Sequence, residues 1–166
     1  MNQKEKGDKL QVGDVFCVPL SDGRYAYAHY IYYDDQKGDA VKPAGHGPLI
    51  RIFNQVSDEV LPLEKVVSRE ELFPPVFGGL HAAVKSGAWK KIDHLPVTNF
   101  IYPTFRITSG TGPGTYHDWR LWDGHKIIFL GDLPEEDQKL ELLMGWTAGM
   151  IETRITTGKN PFNQEL

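Results

Sequence analysis

The sequence predicts an α+β fold: a curled antiparallel β-sheet, small and barrel-like, with one short middle helix and one long C-terminal helix. Three observations carry this expectation. Two apolar runs joined by Ser21-Asp22-Gly23 read as a β-hairpin near the start. A second hairpin signal, Asp123-Gly124, separates Trp119-Arg120-Leu121-Trp122 from the run ending Ile127-Ile128-Phe129-Leu130. Between residues 134 and 155, apolar side chains recur at helical spacing.

The elements follow in chain order. Asp14 to Leu20 is rich in β-branched and aromatic residues, and Arg24 to Tyr33 resumes the pattern after the turn. In this second run Tyr25, Tyr27, His29, Ile31 and Tyr33 share one face; Ala26, Ala28, Tyr30 and Tyr32 share the other. Both faces are apolar, which predicts a central strand. After a polar loop from Asp34 to Gly47, Leu49 to Val56 reads as a third strand, completing a meander. Pro74-Pro75 opens and Gly87 closes a helix over Val76 to Ser86, with Val76, Leu80, Ala83 and Val84 at helical spacing. Ala88 to Ile92 is a short turn or strand, and Asn99 to Thr108 a strand whose Pro103 marks an edge or bulge.

A two-residue Asp-Gly turn would pair Trp122 with His125 and Arg120 with Ile127. Pro134 to Ile155 reads as one helix about 33 Å long. Leu140, Met144, Thr147, Ile151 and Ile155 form its stripe, and Glu135, Glu136 and Asp137 its acidic first turn. Residues 1–166 read as one domain, with a flexible lead over 1–10 and a flexible tail over 157–166.

Composition narrows the function classes. Hydrophobic residues make up 40% and charged residues 24%, the balance of an ordinary globular domain. The single cysteine, Cys17, lies in Val15-Phe16-Cys17-Val18; it excludes an internal disulfide and reads as a small buried hydrophobe. A net charge of −4 disfavours nucleic acid as a partner. Met1 to Leu10 is polar and lacks the apolar core of a signal peptide, and no apolar stretch approaches the roughly 18 residues of a membrane span. A cytoplasmic protein with no membrane partner is expected.

No constellation for catalysis stands out. The six histidines include no H-x-x-x-H pair, and His117 and His125 should face opposite sides of their hairpin, so no metal site is expected. Gly110 to Thr115 leads into a strand where a phosphate-cradling loop would lead into a helix, so no cofactor is expected. No serine sits in a nucleophile elbow, and the acidic pairs are sequence neighbours, which point apart on a strand. Aromatic residues point instead to a protein partner. Trp119 and Trp122 should face opposite ways, leaving one outside. Leu142 and Trp146 flank the last helical stripe and would suit a partner or a second copy of the chain. The candidate partner-binding residues are Asp118, Trp122, Asp123 and His125: two acids, an aromatic anchor and an adaptable donor, beside the glycine-rich loop from Ser109 to Thr115.

Three stretches in order resemble the immunity protein 26 family. They are Gly13-Asp14-Val15-Phe16-Cys17-Val18-Pro19-Leu20 with Asp22-Gly23-Arg24-Tyr25-Ala26-Tyr27-Ala28; then Gly87-Ala88-Trp89-Lys90-Lys91-Ile92-Asp93-His94-Leu95-Pro96 with Tyr102-Pro103-Thr104-Phe105; then Trp119-Arg120-Leu121-Trp122 with Leu130-Gly131-Asp132-Leu133-Pro134. The resemblance implies an immunity protein of bacterial polymorphic-toxin systems, encoded beside a nuclease toxin and neutralising it by direct binding. It carries over no catalytic residue; its glycines serve turns, and Trp89 and Phe105 serve the core. The G-D-V-F opening is also similar to small-barrel ribonuclease toxins of the MazF and PemK type. That alternative would use Arg24 or Arg51 with a hydroxyl or an acid, but the acidic balance and the chain length speak against it; a non-toxin protein-binding module is the other alternative.

Overall fold

Val15, Phe16, Cys17 and Val18 are all buried, because both faces of β1 (Asp14–Pro19) are covered. This computed structural model describes residues 9–67, 70–112 and 114–163. The expected lead over 1–10 falls largely on residues 1–8, and the end of the expected tail on 164–166; both lie outside the described residues. β1 pairs antiparallel with β2 (Tyr25–Asp34), Pro19 opposite Tyr25. β3 (Gly47–Ile52) takes the other edge of β2, which is therefore the central strand its two apolar faces predict. Ala26, Ala28 and Tyr30 join Phe16, Val18, Ile50 and Ile52 in the larger core; Tyr27 packs with Val15, Cys17 and Phe53 on the opposite side. Burial raises the Cys17 thiol pKa, consistent with an inert packing residue.

A short helix, α1 (Leu63–Val66), contributes Val66 to the smaller core. The helix expected from Val76 is divided: β4 (Val76–Gly78) precedes α2 (Leu80–Lys85). Gly78 and Gly79 both have positive φ, 114° and 72°, and break the helical path between them. Beyond α2, Gly87 ends the helical region as expected, and β5 (Lys90–His94) returns along β1. Asn99 to Thr104 is loop; only β6 (Phe105–Ile107), past Pro103, is strand. β7 (Trp119–Trp122) and β8 (Ile127–Gly131) complete the second hairpin.

The single helix expected from Pro134 to Ile155 is not formed. A 3-10 turn spans Glu135–Asp137, the chain then runs extended into β9 (Gly145–Trp146), and only α3 (Ala148–Thr157) is α-helical. Tertiary pairing overrides the local period. The backbone N–H of Arg106 donates to Glu141, Leu143 donates back to Arg106, and β9 lies parallel to β4. Thr147 starts α3 by accepting the N–H of Met150, and Gly158 ends it in the left-handed conformation.

The sheets are open, not the small barrel expected. A six-stranded sheet has the order β5-β1-β2-β3-β4-β9 and a three-stranded sheet the order β6-β7-β8. β4 and β9 extend the meander on one side and β5 on the other, so the edges do not meet. One face of the larger sheet is roofed by α2 and α3 through Leu80, Ala83, Ile151 and Ile155. Buried Asp14 ties β5 to β1: its carboxylate accepts Lys91 Nζ and His94 Nδ1, both at 2.9 Å, and the Gln11 N–H. Desolvation alone would raise its pKa, but these donors outweigh burial and hold it below the usual carboxylate range. After α3 the described tail lies against the body, with Phe162 edge-on to Trp146 and Asn163 accepting from Arg106. Among the described residues no helix is long and apolar enough to cross a membrane.

Candidate functional site

The second hairpin is built differently from its sequence reading. Trp122 pairs with Ile127 and Arg120 with Phe129, two residues beyond the expected register. The turn is therefore Asp123 to Lys126, four residues long. Its cause is the Asp123 carboxylate, whose Oδ1 accepts the N–H groups of His125 and Lys126 at 3.0 Å each. Those two bonds hold Asp123 below the ordinary carboxylate range. Gly124 sits at φ 90° directly on the Tyr102 ring, and a Cβ there would lie 2.7 Å from the ring. Tyr102 in turn donates to Asp34 at 2.8 Å, so the turn rests on a fixed support reaching back to β2.

The four candidate residues do not surround one turn. His125 is exposed and Asp123 half-buried at the turn itself. Asp118 precedes β7 at its far end, about 16 Å from Asp123 at 3.3 Å per residue. There it adopts φ 52°, a left-handed conformation that Asp tolerates, with its carboxylate 3.6 Å from His117 Nε2 and open to solvent. The Ser109 to Thr115 loop lies at this end, with Thr115 Oγ1 accepting the N–H groups of Thr111 and Gly112. Trp122 is 2% exposed and belongs to the interior. Trp119 is buried too: a register shift between Trp119 and Arg120 breaks the alternation that would have put one tryptophan outside. Trp146 is likewise buried, so the expected Leu142–Trp146 surface patch does not exist.

The aromatic that the hairpin does present is Phe129, 70% exposed, next to Ile128 at 44%. Its signal was the run Ile127-Ile128-Phe129-Leu130, which on an edge strand must leave some apolar side chains in water.

A second feature, absent from the sequence reading, is a cleft of about 560 Å³ between β2, β3 and the loop from Leu95 to Thr104. Burial draws the His29 pKa down to about 4. Its Nδ1 lies 3.1 Å from Arg51 Nη2 and its Nε2 lies 2.8 Å from the Leu95 carbonyl. A guanidinium only donates, so Nδ1 accepts and Nε2 carries the proton. Arg51, the polar interruption in Leu49-Ile50-Arg51-Ile52-Phe53, was the available clue. Glu71 also lines the cleft, and burial raises its carboxyl above the usual range.

Of the two arginines of the alternative reading, Arg24 pairs with Asp22 at 2.7 Å, and Arg51 lies against His29 in the cleft that Glu71 also lines. Among the described residues no three His, Cys, Asp or Glu side chains gather as a metal ion would require.

Comparison with curated proteins gives no match, and comparison with solved structures gives none either. A family model described as Immunity protein 26 matches residues 11–115. The match takes in β1 to β6, Asp14, Trp89 and the cleft apart from Leu140, and stops short of β7 and β8. Since it spans more than half of the chain, the protein belongs to the immunity protein 26 family.

Proposed function

We propose that this chain neutralises a cognate bacterial toxin, a nuclease, by binding it directly in the cytoplasm, and that it catalyses no reaction itself. Membership of the immunity protein 26 family carries this reading. The contact surface we assign is the second hairpin. Asp118 marks one end, Asp123 and His125 the other, and Trp122 supports the hairpin from beneath. Acids facing a basic, nucleic-acid-binding surface would accelerate encounter, and their contribution would fall with salt.

The test uses charge removal without loss of the turn. Asp123→Asn keeps the acceptor for His125 and Lys126, and Asp118→Asn keeps a residue that tolerates positive φ. The double variant should retain its melting temperature and associate with the toxin about tenfold more slowly at low salt, the difference closing as salt rises. Association within about twofold of wild type at all salt concentrations would move the interface elsewhere, with the His29–Arg51 cleft as the next surface to probe.

A further inference from the structure

β8 ends the smaller sheet with an edge that pairs with no other strand among the described residues. It carries no proline, and Phe129 and Ile128 stand in solvent along it. Such an edge is a template for another strand unless something covers or blunts it. Charge frames it asymmetrically. Lys126 precedes the strand and Asp132 follows it; both are exposed, and neither forms an ion pair among the described residues.

We infer that β8 pairs with β8 of a second copy of the chain, antiparallel and centred on Phe129, joining two three-stranded sheets into one of six strands. Opposed side chains in an antiparallel pair share a face, so a two-fold symmetric pairing must centre on a residue. Centring on Phe129 places Lys126 opposite Asp132 of the second copy, and by symmetry does so twice. It also sets Ile127 opposite Gly131, Ile128 opposite Leu130, and Phe129 opposite its own counterpart. Moving the centre to Ile128 leaves Lys126 facing Leu130. Moving it to Leu130 sets Asp132 against Ile128 and brings Pro134, which has no N–H, into the ladder. Only one register satisfies charge and apolar contact together. Arg120, opposite Phe129 on β7, then flanks the aromatic pair on each side.

The pairing goes beyond toxin binding and does not depend on it, yet it bears on the candidate surface. It sets the Asp123–His125 turn of one copy at the same end as Asp118 of the second copy. The two would be separated by two to three strand spacings, roughly 10–15 Å. Polar groups that lie at opposite ends of one hairpin thus become neighbours across the two-fold axis.

Sedimentation velocity on the full chain without toxin, from about 1 to 100 µM, tests this. Wild type should show a concentration-dependent dimer. Phe129→Lys, which sets two cations face to face, should raise the dissociation constant at least about tenfold while the near-ultraviolet circular dichroism stays native. Lys126→Asp and Asp132→Lys should each raise it by about threefold or more, and the double charge swap should return it to within about twofold of wild type. A wild type that remains monomeric throughout overturns the inference, as does a Phe129→Lys variant that dimerises unchanged. Single charge variants without effect, or a double swap that fails to rescue, overturn the register and with it the proposal. Because toxin is absent, failure here leaves the immunity reading standing, and failure to bind toxin leaves the dimer standing.

Discussion

Trp89→Ala is expected to destabilise the protein by about 3–5 kcal/mol in urea unfolding. The indole is 1% exposed and fills the larger core beside Ala83, Leu80 and Ile151, where α2, α3 and the main sheet converge. Its Nε1 also donates to Glu152 Oε1 on α3 at 2.8 Å. Truncation therefore removes a large apolar surface, leaves a cavity and strands a half-buried carboxylate. Trp89→Phe keeps most of the volume and loses only the hydrogen bond, so its loss should be nearer 1 kcal/mol. An alanine variant less than about 1 kcal/mol below wild type would mean that Trp89 lies outside the core.

A loss of similar size is expected when the buried ion pair between Glu141 and Arg154 is broken. Arg154 donates from Nη1 and Nη2 to the two carboxylate oxygens at 2.9 and 2.6 Å, and its guanidinium lies 4.0 Å over the Phe73 ring. Arg154→Ala leaves the buried Glu141 carboxylate without its bidentate cation, with only Asn160 Nδ2 still donating to it at 3.2 Å, and should lower stability by about 3–5 kcal/mol. Replacing both, as Glu141→Leu with Arg154→Met, should lose much less, because no unpaired charge remains. The coupling also decides between two backbones. In a continuous helix the two residues would stand about 20 Å apart along the axis, at 1.5 Å per residue, and their effects would add. Strong non-additivity in the double-mutant cycle is the expected outcome; additivity within about 0.5 kcal/mol would favour the unbroken helix.

The first meander was legible because its signals are local: alternating apolar residues, Ser-Asp-Gly, and two apolar faces on β2. The second hairpin was legible in existence but not in register, since capping by the Asp123 side chain lengthens the turn by two residues. The extended run to β9 was not legible, because it is stabilised by β4 and β6, about 68 and 36 residues away in the chain, and no local period reports such partners. Thr147 was a readable helix start, yet the apolar spacing of Leu140, Met144 and Thr147 hid it. Of the candidate site, the acids and His125 lie at the surface, but the anchor Trp122 is inside, held on the central strand β7 between Phe105 of β6 and Ile127 of β8, and Phe129 is the aromatic that the hairpin presents.

Neutralisation by direct binding predicts stoichiometric inhibition. The purified chain is titrated into the toxin domain encoded beside it, and nucleic-acid cleavage is followed as a function of molar ratio. The expected result is a linear loss of activity that ends at one chain per toxin, with the chain alone leaving RNA and DNA intact. Undiminished cleavage in the presence of excess folded chain, or cleavage by the chain itself, would contradict it.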